Sequence, residues 1–420
     1  MSDALKLVVL GGSGAFTPEL AYALTTWREG RPPLRLVLHG RDAAKLARVQ
    51  AACRKVVAGQ DPSIAVEIET DSRRALEGAG HVINQVRVGG LAARASDETF
   101  PHELGLPGEE TVGAGGFANA LRTVPVALRQ AAEILEVAPH ATLINLTNPA
   151  SIVGQAFSRA GLRRVIGVCD GPYTLQENVA ALVGRAASDL SISYAGVNHF
   201  GWVLAVRDGA QDLLPLALQR AADLPKNEID PQIMQAGGAI PNPYLRYLYH
   251  PERILAAQRG KQARGAQLQA VEAELLDEYA RQDGAGRPEA LARRGAVWYH
   301  KVIVPVLDAL VNDRRAVHVV NVRNGTLWPW LPPETAVEVS AVVGRDGARP
   351  LAIEVAQPEL RSLLIAFATY EQLAVEAIIS GSRDTALRAL LANPFIPTAD
   401  QAEALLERVW PDGFPREIEA

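Results

Sequence analysis

A cysteine and a histidine stand where polar chemistry is placed in α/β proteins, each at the end of an apolar stretch. Cys169 follows the apolar run 165–168 and precedes Asp170, and His199 lies in the segment 196–202, GVNHFGW. Residues that follow the carboxyl ends of strands in an open α/β sheet face the ligand crevice. A thiolate and an imidazole placed there can bind a divalent transition metal. The spacing (199 − 169 = 30) matches no short metal motif, so a buried inert thiol and a structural histidine are the alternative.

Two further segments carry polar side chains directly after predicted strands. The segment 145–149, NLTNP, offers carboxamides and a hydroxyl that could hold the hydroxyl groups of a sugar. The segment 85–94, QVRVGGLAAR, contains Arg87 and ends with Arg94. Taken alone, each segment favours the alternative of an ordinary strand-end turn, with the arginines on the surface.

A glycine-rich turn follows the first predicted strand. Gly11-Gly12-Ser13-Gly14 lies between the apolar run 5–10 and a helix expected to begin near Pro18. Glycines allow a backbone to approach a pyrophosphate, and a helix N-terminus supplies N–H donors and a positive dipole end. The dinucleotide-binding pattern is incomplete because Thr17 stands at its last glycine position. The turn therefore favours dinucleotide binding, although tight packing alone would also explain it.

The elements that must position these residues alternate between strands and helices in the first half of the chain. Apolar runs that predict strands lie at 5–10, 35–39, 82–86, 142–146 and 165–168, with helical stretches between them. This alternation predicts an α/β fold with a Rossmann-like, doubly wound sheet.

The second half has a different pattern. Helix-type composition dominates at 252–296 and 355–410, interrupted by predicted strands at 317–322 and 337–343. We therefore predict a dinucleotide-binding domain over residues 1–200 and a helix-rich α+β substrate and oligomerisation domain over 201–420. The active site is expected between them, where the Gly/Pro-rich stretch 237–243 is typical of a functional loop.

The composition excludes several classes of function. The chain has 420 residues, of which 48% are hydrophobic, and a formal net charge of −5 without a basic tail, which argues against a nucleic-acid partner. The apolar run 5–10 is too short for a signal peptide or a membrane span, so we expect a cytoplasmic protein without a membrane partner. Two cysteines do not make a disulfide framework.

Taken together, these segments resemble the family-4 glycoside hydrolases, which are NAD- and metal-dependent 6-phospho-glucosidases. The resemblance covers nearly the whole chain and is carried by separate motifs in the right order. These are VVLGGSGAFTPEL, NQVRVGGLAARASDE, GEETVGAGG, NLTNPA, GVCDGP, GVNHFGW, IPNPYLRY and NVRNGTLWPWLPPETAVEVSAVVGRDGARP.

The resemblance implies an unusual redox route for hydrolysis of a 6-phospho-glucoside. Hydride leaves C3 of the sugar for the nicotinamide, the C2 proton is removed, the C1 substituent is eliminated, and water and hydride are then added. By this resemblance Cys169 and His199 bind the metal, most often manganese. Tyr244 is the catalytic base, and Asp170 is the proton donor beside the metal.

The resemblance also implies the residues that hold the substrate and the cofactor. Arg94, Asn148 and Arg264 match substrate-binding positions, with arginine near the 6-phosphate. The residues expected to bind NAD belong to the glycine turn and the end of the second strand: Gly11, Gly12, Ser13, Gly14, Ala15, Phe16 and Arg41.

Two departures from the family pattern concern the cofactor. The glycine turn exchanges the usual order of serine and glycine, and Gly40 stands where the family has an acidic residue after the second strand. That carboxylate would bind the ribose 2′-OH of NAD, whereas an arginine such as Arg41 can accommodate the 2′-phosphate of NADP. The sequence therefore leaves NADP open beside NAD. The alternative is that Arg41 points to solvent and Asp42 contacts the ribose.

The sequence also leaves other functions open. The interval between His199 and Tyr244 favours a 6-phospho-β-glucosidase, while Asp170 and the HFGW run resemble the α-type enzymes. An NAD(P)-dependent dehydrogenase of a small hydroxy acid or polyol would share the glycine turn, but it would not explain the set of Cys169, His199 and Tyr244. A non-catalytic sensor of a nucleotide or sugar phosphate would need an effector domain, which the sequence does not suggest. We expect a homodimer or homotetramer.

Overall fold

The computed structural model describes residues 4–225, 228–281, 291 and 298–411. Within these ranges a single mixed sheet of 13 strands forms the centre of the molecule. One half of the sheet is parallel, in the order β3-β2-β1-β4-β5-β6. Its strands are β1 (Leu5–Leu10), β2 (Leu34–His39), β3 (Ile64–Glu69), β4 (His81–Asn84), β5 (Thr142–Asn145) and β6 (Val165–Gly167). This is the strand order of dinucleotide-binding folds, whose ligand crevice lies where the order reverses, between β1 and β4.

The other half of the sheet extends it with antiparallel strands, in the order β6-β11-β12-β7-β8-β10. Two short strands pair outside this path, β9 with β8 and β13 with β12. The bounds are β7 (Ser191–Val197), β8 (Phe200–Asp208), β9 (Gln211–Asp212), β10 (Ile240–Pro241), β11 (Ala316–Arg323), β12 (Ala336–Gly344) and β13 (Gly347–Pro350).

Helices connect the parallel strands and make up most of the second half of the chain. In chain order they are α1 (Thr17–Thr26), α2 (Ala43–Ala58), α3 (Ser72–Leu76), α4 (Gly90–Asp97), α5 (Ala114–Val137), α6 (Ala150–Arg159), α7 (Asp170–Val183), α8 (Leu214–Gln219), α9 (Pro231–Gly237), α10 (Arg246–Tyr249), α11 (Pro251–Gln258), α12 (Arg264–Arg281), α13 (Val304–Asn312), α14 (Pro358–Ser380), α15 (Arg383–Ala392) and α16 (Ala399–Val409). A short π-helix, Tyr299–Ile303, leads into α13.

The local sequence explains why the first elements begin and end where they do. The inner residues of β1 are apolar and fully buried, as expected for a parallel strand covered on both faces. Pro18 stands in the first turn of α1, where its missing N–H costs no hydrogen bond. Asp42 caps α2, because its carboxylate accepts a hydrogen bond from the backbone N–H of Lys45 at 3.0 Å.

The predicted fold class is confirmed, and the predicted strands in both halves agree with the structure to within two residues at each end. Three substantial strands were not predicted: β3, β7 and β8. The predicted helical run 252–296 consists of α11 and α12 with a break between them, and its last part lies outside the described residues. The boundary predicted at residue 200 falls at the start of β8, inside a hairpin of the continuous sheet. The division into two domains stays a prediction.

Among the described helices, α14 alone is long and apolar enough to cross a membrane. Half of its most apolar window is buried inside the protein, as in the core helix of a globular fold. Its residues Phe367, Tyr370 and Ala374 belong to the main hydrophobic core.

Candidate active site

The structure brings Cys169 and His199 into direct contact. Cys169 ends the segment after β6 and caps α7, where its Sγ accepts a hydrogen bond from the N–H of Gly171 at 3.3 Å. Its Sγ lies 3.2 Å from Nε2 of His199. Asp170, the first residue of α7, has Oδ1 3.9 Å from the same sulfur. The side chains of the two residues predicted to bind a metal therefore contact each other.

The position of His199 differs from the expected one. It does not follow a parallel strand but occupies the second position of the two-residue turn between β7 and β8, with φ of 64°. This left-handed conformation is unusual for a residue with a side chain and costs about 1 kcal/mol or more. Such strain is common at functional sites, and here it directs the imidazole toward Cys169.

A hydrogen-bond relay fixes the orientation of the His199 ring. Thr111 Oγ1 lies 2.8 Å from Nδ1 of His199, and the same hydroxyl donates to Oε1 of Glu109 at 2.6 Å. Because the hydroxyl gives its proton to Glu109, it accepts from Nδ1–H of His199. The lone pair of Nε2 then faces Cys169. Carboxylate-linked histidines of this kind are typical of metal ligands.

The electrostatic environment suits a metal held by these two residues. Burial lowers the pKa of His199 to about 3, so the imidazole is neutral and can act as a ligand. Burial, followed by the carboxylates of Asp170 and Glu338, raises the pKa of the Cys169 thiol well above its ordinary value. A thiolate at this point therefore calls for a cation beside it. Within the described residues no third Cys, His, Asp or Glu completes a metal-binding cluster, so the remaining ligands would come from substrate or water.

A buried carboxylate links the two chain segments that carry the metal-binding pair. Glu338 on β12 is 1% exposed, and its Oε1 accepts hydrogen bonds from Nδ2 of Asn198 and from Nδ2 of Asn321, each at 2.9 Å. Asn198 directly precedes His199, and Asn321 pairs with Gly167 at the end of β6. Glu338 thereby connects the chain segment before His199 with the one before Cys169.

Tyr244 lies against His199. Its ring is stacked on the imidazole with a centroid separation of 3.7 Å and an angle of 7° between the planes. The loop 237–243 positions it, because β10 adds to the edge of β8 and Asn242 then accepts a hydrogen bond from the Tyr244 N–H at 3.1 Å. Burial, followed by Glu109, raises the pKa of the Tyr244 phenol well above its ordinary value.

A cation lies next to this aromatic pair. The guanidinium carbon of Arg246 is 5.8 Å from the ring centroid of Tyr244 and 4.7 Å from that of Tyr247. Its Nη2 donates to the Tyr247 hydroxyl at 2.9 Å, and its Nε pairs with Glu228 at 3.0 Å. Arg246 therefore brings a positive charge to the site from one side.

Arg94 enters the site already paired with acids. Its Nε donates to Glu98 at 2.8 Å, and its Nη1 pairs with Glu110 at 3.0 Å. Glu110 also pairs with Arg87. Arg264 is exposed at the start of α12. Glu98 contacts the residue that follows it, because Glu98 Oε2 accepts a hydrogen bond from the Gly265 N–H at 2.7 Å. The two arginines predicted to meet the phosphate are thus neighbours through Glu98.

Asn148 is joined to the same group of residues. Nδ2 of Asn119, on α5, donates to the Asn148 backbone carbonyl at 3.2 Å and to the Glu110 carbonyl at 3.1 Å. The Asn148–Pro149 peptide bond is cis, and the Asn148 side chain is half-buried. Asn148 and Arg94 are therefore connected through Asn119 and Glu110.

The glycine turn has the form that a dinucleotide needs. Gly11 has φ of 81°, and a Cβ at Gly12 would lie 2.8 Å from the Leu38 backbone, so the turn packs tightly against β2. A Cβ at Gly14 would meet only ordinary contacts of 3.4 Å or more, so its absence leaves space for a ligand. The N-terminus of α1 follows without a side-chain cap, as in phosphate-binding turns. Ala15 is buried and Phe16 half-buried at this end of the turn.

Gln85, at the end of β4, ties this turn to the second half of the chain. Its Nε2 donates to the Gly11 carbonyl at 3.2 Å and to Thr17 Oγ1 at 2.9 Å. Its Oε1 accepts from the hydroxyl of Tyr299, in the π-helix, at 2.8 Å. Single-turn π-helices are frequent at functional sites.

Sequence reasoning did not select several residues that the structure places in the site. They share an acidic, amide, hydroxyl or basic side chain that is largely buried: Glu109, Glu110, Thr111, Asn198, Arg246, Asn321 and Glu338. The consecutive Glu109-Glu110 ahead of a helix was the available signal, because two adjacent buried acids require partners.

Two models of known protein families match this chain. Residues 6–185 match the model of the family 4 glycosyl hydrolases, and residues 194–396 match the model of the family 4 glycosyl hydrolase C-terminal domain. The chain belongs to family 4 of the glycosyl hydrolases. The resemblance drawn from the sequence motifs is thereby confirmed.

Relatives of this family 4 chain include enzymes of both anomeric types. The probable 6-phospho-beta-glucosidase of Bacillus subtilis is 31% identical, over 97% of this chain and 96% of the relative. The 6-phospho-alpha-glucosidase 1 of Lacticaseibacillus paracasei is 28% identical, over 97% and 98%. The Thermotoga maritima 6-phospho-beta glucosidase, solved with manganese, NAD+ and glucose-6-phosphate, superimposes with a TM-score of 0.87 at 28% identity, covering 96% of this chain and 97% of that one.

Proposed function

We propose that this family 4 chain is a 6-phospho-β-glucosidase that uses a nicotinamide dinucleotide and a divalent metal, with manganese the expected ion. The contact of Cys169 Sγ with His199 Nε2 at 3.2 Å, beneath the stacked ring of Tyr244, carries the proposal. A dehydrogenase of a small hydroxy acid needs no such set. The β preference is supported by the 31% identity to the Bacillus subtilis enzyme against 28% for the α-type relative.

The residues of this chain fit both groups. Cys169 and His199 would hold the metal, and the turn Gly11–Gly14 together with the start of α1 would hold the dinucleotide. When bound, the metal polarises a sugar carbonyl and the dinucleotide accepts a hydride and returns it. Burial keeps His199 neutral and the Thr111–Glu109 relay orients it, so the site does not depend on a proton leaving this histidine.

Tyr244 is the group proposed to remove the proton from C2 of the sugar. Burial raises the pKa of the Tyr244 phenol, so the phenol is protonated near neutral pH. To act as a base it must first lose this proton. A positive charge beside the ring lowers the pKa of a phenol, and Arg246 supplies one such charge at 5.8 Å from the ring centroid. Asp170, next to the Cys169 sulfur, is proposed to protonate the leaving oxygen.

The proposed phosphate contacts are Arg94 and Arg264. Arg264 is exposed at the start of α12, so its guanidinium can turn toward a substrate. Arg94 uses Nε and Nη1 for Glu98 and Glu110, which leaves Nη2 for a phosphate oxygen. Asn148 is proposed to contact a sugar hydroxyl. A phosphorylated sugar is charged and stays inside the cell, so we also propose a cytoplasmic location, and a homodimer or homotetramer as the working assembly.

The experiment measures nitrophenol release from the α- and β-linked nitrophenyl glucoside 6-phosphates and from their unphosphorylated counterparts. Each assay contains manganese, a reductant and either NAD+ or NADP+. We expect release from the β-linked phosphorylated substrate, with far weaker turnover of the unphosphorylated glucosides. Faster release from the α-linked phosphate would assign the α-type activity instead.

Absorbance of the reduced cofactor in the same assay separates a glycosidase from a dehydrogenase. The proposed route returns the hydride in each turnover, so reduced cofactor does not accumulate. Equimolar formation of reduced cofactor without nitrophenol release would contradict the proposal.

A further inference from the structure

The end of β2 and the glycine turn are packed together, so their side chains cannot vary independently. The Gly12 N–H donates to the His39 carbonyl at 2.7 Å, which holds the turn against the last residue of β2. Gly40 follows His39 and is buried. The residue after this strand is the one that reads the 2′ position of the adenosine ribose in dinucleotide-binding folds.

Ser13 fills the space that a side chain at position 40 would need. A Cβ at Gly40 would lie 2.9 Å from Oγ and 3.0 Å from Cβ of Ser13. An aspartate or glutamate at position 40 is therefore incompatible with the present position of the Ser13 side chain. The two departures of this sequence, Ser13 in the turn and Gly40 after β2, are thus one coupled feature.

The neighbouring acid already has a structural role. Asp42 is occupied as the cap of α2, where Oδ1 accepts from the Lys45 N–H at 3.0 Å. Lys45 in turn pairs with Glu272 on α12 at 2.6 Å. Arg41 is exposed, and within the described residues its guanidinium forms neither a hydrogen bond nor an ion pair. Among the described residues, the groups available to contact the ribose are therefore the Ser13 hydroxyl and the Arg41 guanidinium.

We infer that Ser13, Gly40 and Arg41 form a subsite for the 2′-phosphate of NADP, so that this chain binds NADP+ at least as tightly as NAD+. A carboxylate at this point accepts hydrogen bonds from the 2′-OH and repels a phosphate, whereas an arginine pairs with the phosphate. Ser13 places a hydroxyl where that carboxylate would stand, and Arg41 supplies a counter-charge for the phosphate. The inference rests on the proposed function only in requiring a dinucleotide on the glycine turn.

Isothermal titration of the purified protein with NAD+ and with NADP+ tests this subsite without any turnover. The variants are Arg41→Ala, the pair Ser13→Gly with Gly40→Asp, and Arg48→Ala as a control that removes one exposed cation farther along α2. We expect Arg41→Ala to weaken NADP+ by about tenfold, the effect of losing one arginine–phosphate pair, while NAD+ affinity is unchanged. Arg48→Ala should leave both affinities unchanged.

The double variant provides the reverse test, because it restores a carboxylate and removes the side chain that blocks it. We expect this variant to prefer NAD+ over NADP+. Tighter binding of NAD+ by the unmodified protein, or an NADP+ affinity that Arg41→Ala does not alter, would overturn the inference while leaving the proposed hydrolysis intact. Failure of both dinucleotides to bind would contradict the proposed function and the inference together.

Discussion

At the scale of single residues, the site depends on side chains whose ordinary protonation states do not suit the proposed chemistry. Cys169 and Tyr244 are both held in their neutral forms by burial, and each needs a nearby positive charge to become an anion. His199 is held neutral by burial and oriented by Thr111. His199 is therefore ready to act as a ligand in the protein alone, whereas Cys169 requires the charge of a bound metal to become a thiolate.

Replacing Cys169 by serine should remove the metal-dependent activity. A serine hydroxyl is a poor ligand for a transition metal at neutral pH, whereas a thiolate and an imidazole together favour manganese, cobalt, nickel or iron over calcium. Cys53→Ala is the matched control, because Cys53 is a buried free thiol on α2, an element that carries neither proposed metal ligand. The manganese dissociation constant and the release rate should worsen only in the Cys169 variant. Full activity of that variant, or of the parent after exhaustive chelation, would exclude this metal site.

Replacing Tyr244 by phenylalanine should lower kcat by about 10²–10⁴, as expected for the loss of a general base. The stacked ring is kept, so cofactor affinity should be unchanged. Tyr247→Phe is the comparison, because the Tyr247 ring centroid lies 6.1 Å away in the same aromatic group and its hydroxyl accepts a hydrogen bond from Arg246 Nη2. A normal rate in Tyr244→Phe together with a large loss in Tyr247→Phe would transfer the role of base to Tyr247.

At the scale of secondary-structure elements, the site is built where antiparallel strands extend a parallel sheet. The turn between β7 and β8 carries His199, β12 carries Glu338, and β10 leads to Tyr244. The π-helix Tyr299–Ile303 reaches the glycine turn through Gln85. The antiparallel strands and the π-helix thus position the proposed metal ligands and contact the glycine turn.

Replacing Glu338 by leucine should weaken manganese binding by about 10- to 100-fold, the usual effect of losing an outer-sphere partner of metal ligands. The change removes the acceptor shared by Asn198 and Asn321, which connects the chain segments before His199 and Cys169. Glu338→Gln keeps an acceptor oxygen and should retain most of the affinity. The free-manganese signal in electron paramagnetic resonance reports the binding. Wild-type affinity in a folded leucine variant would show that Glu338 does not position the ligands.

At the scale of the whole molecule, buried acids outside the catalytic site make stability depend on pH. Glu371 on α14 is 1% exposed, accepts a hydrogen bond from Ser151 Oγ, and is 3.3 Å from Gln155 Nε2. These contacts join α14 to α6 inside the core. Burial raises the pKa of Glu371 from its ordinary value of 4.5 to about 8.

The raised pKa of Glu371 predicts that stability falls as the pH rises from about 4.5 to about 8. The folded protein retains this proton to about pH 8, while the unfolded chain releases it near 4.5. Folding therefore takes up a proton between these values, and the free energy of unfolding contributed by Glu371 falls as the pH rises. We expect Glu371→Gln to show a smaller decrease in Tm from pH 5 to pH 8 than the parent. The exposed Glu376→Gln on the same helix should follow the parent, and an unchanged slope in Glu371→Gln would contradict this account.

The sequence by itself determined the fold class, the alternation of strands and helices in the first half of the chain, and the family. It also selected the metal-binding pair as a hypothesis and Tyr244 through the resemblance. These features can be predicted from the sequence because they depend on local composition: an apolar run, a glycine turn at its end, and a polar residue directly after a strand. The strands β7 and β8 escaped prediction although they flank the most informative motif. Polar and small residues interrupt them, and their stability comes from pairing with each other and with β12.

Only the tertiary structure decided how the side chains are paired. Thr111 orients His199 from 88 residues away, and Asn198 reaches Glu338 across 140 residues. The conflict between Ser13 and a side chain at position 40 is likewise a matter of tenths of an ångström between two turns. Sequence patterns report burial and periodicity along one element, whereas these contacts depend on how separate elements pack. For that reason the sequence indicated candidate ligands and bases, whereas their hydrogen-bond partners, tautomers and steric constraints are evident only in the folded chain.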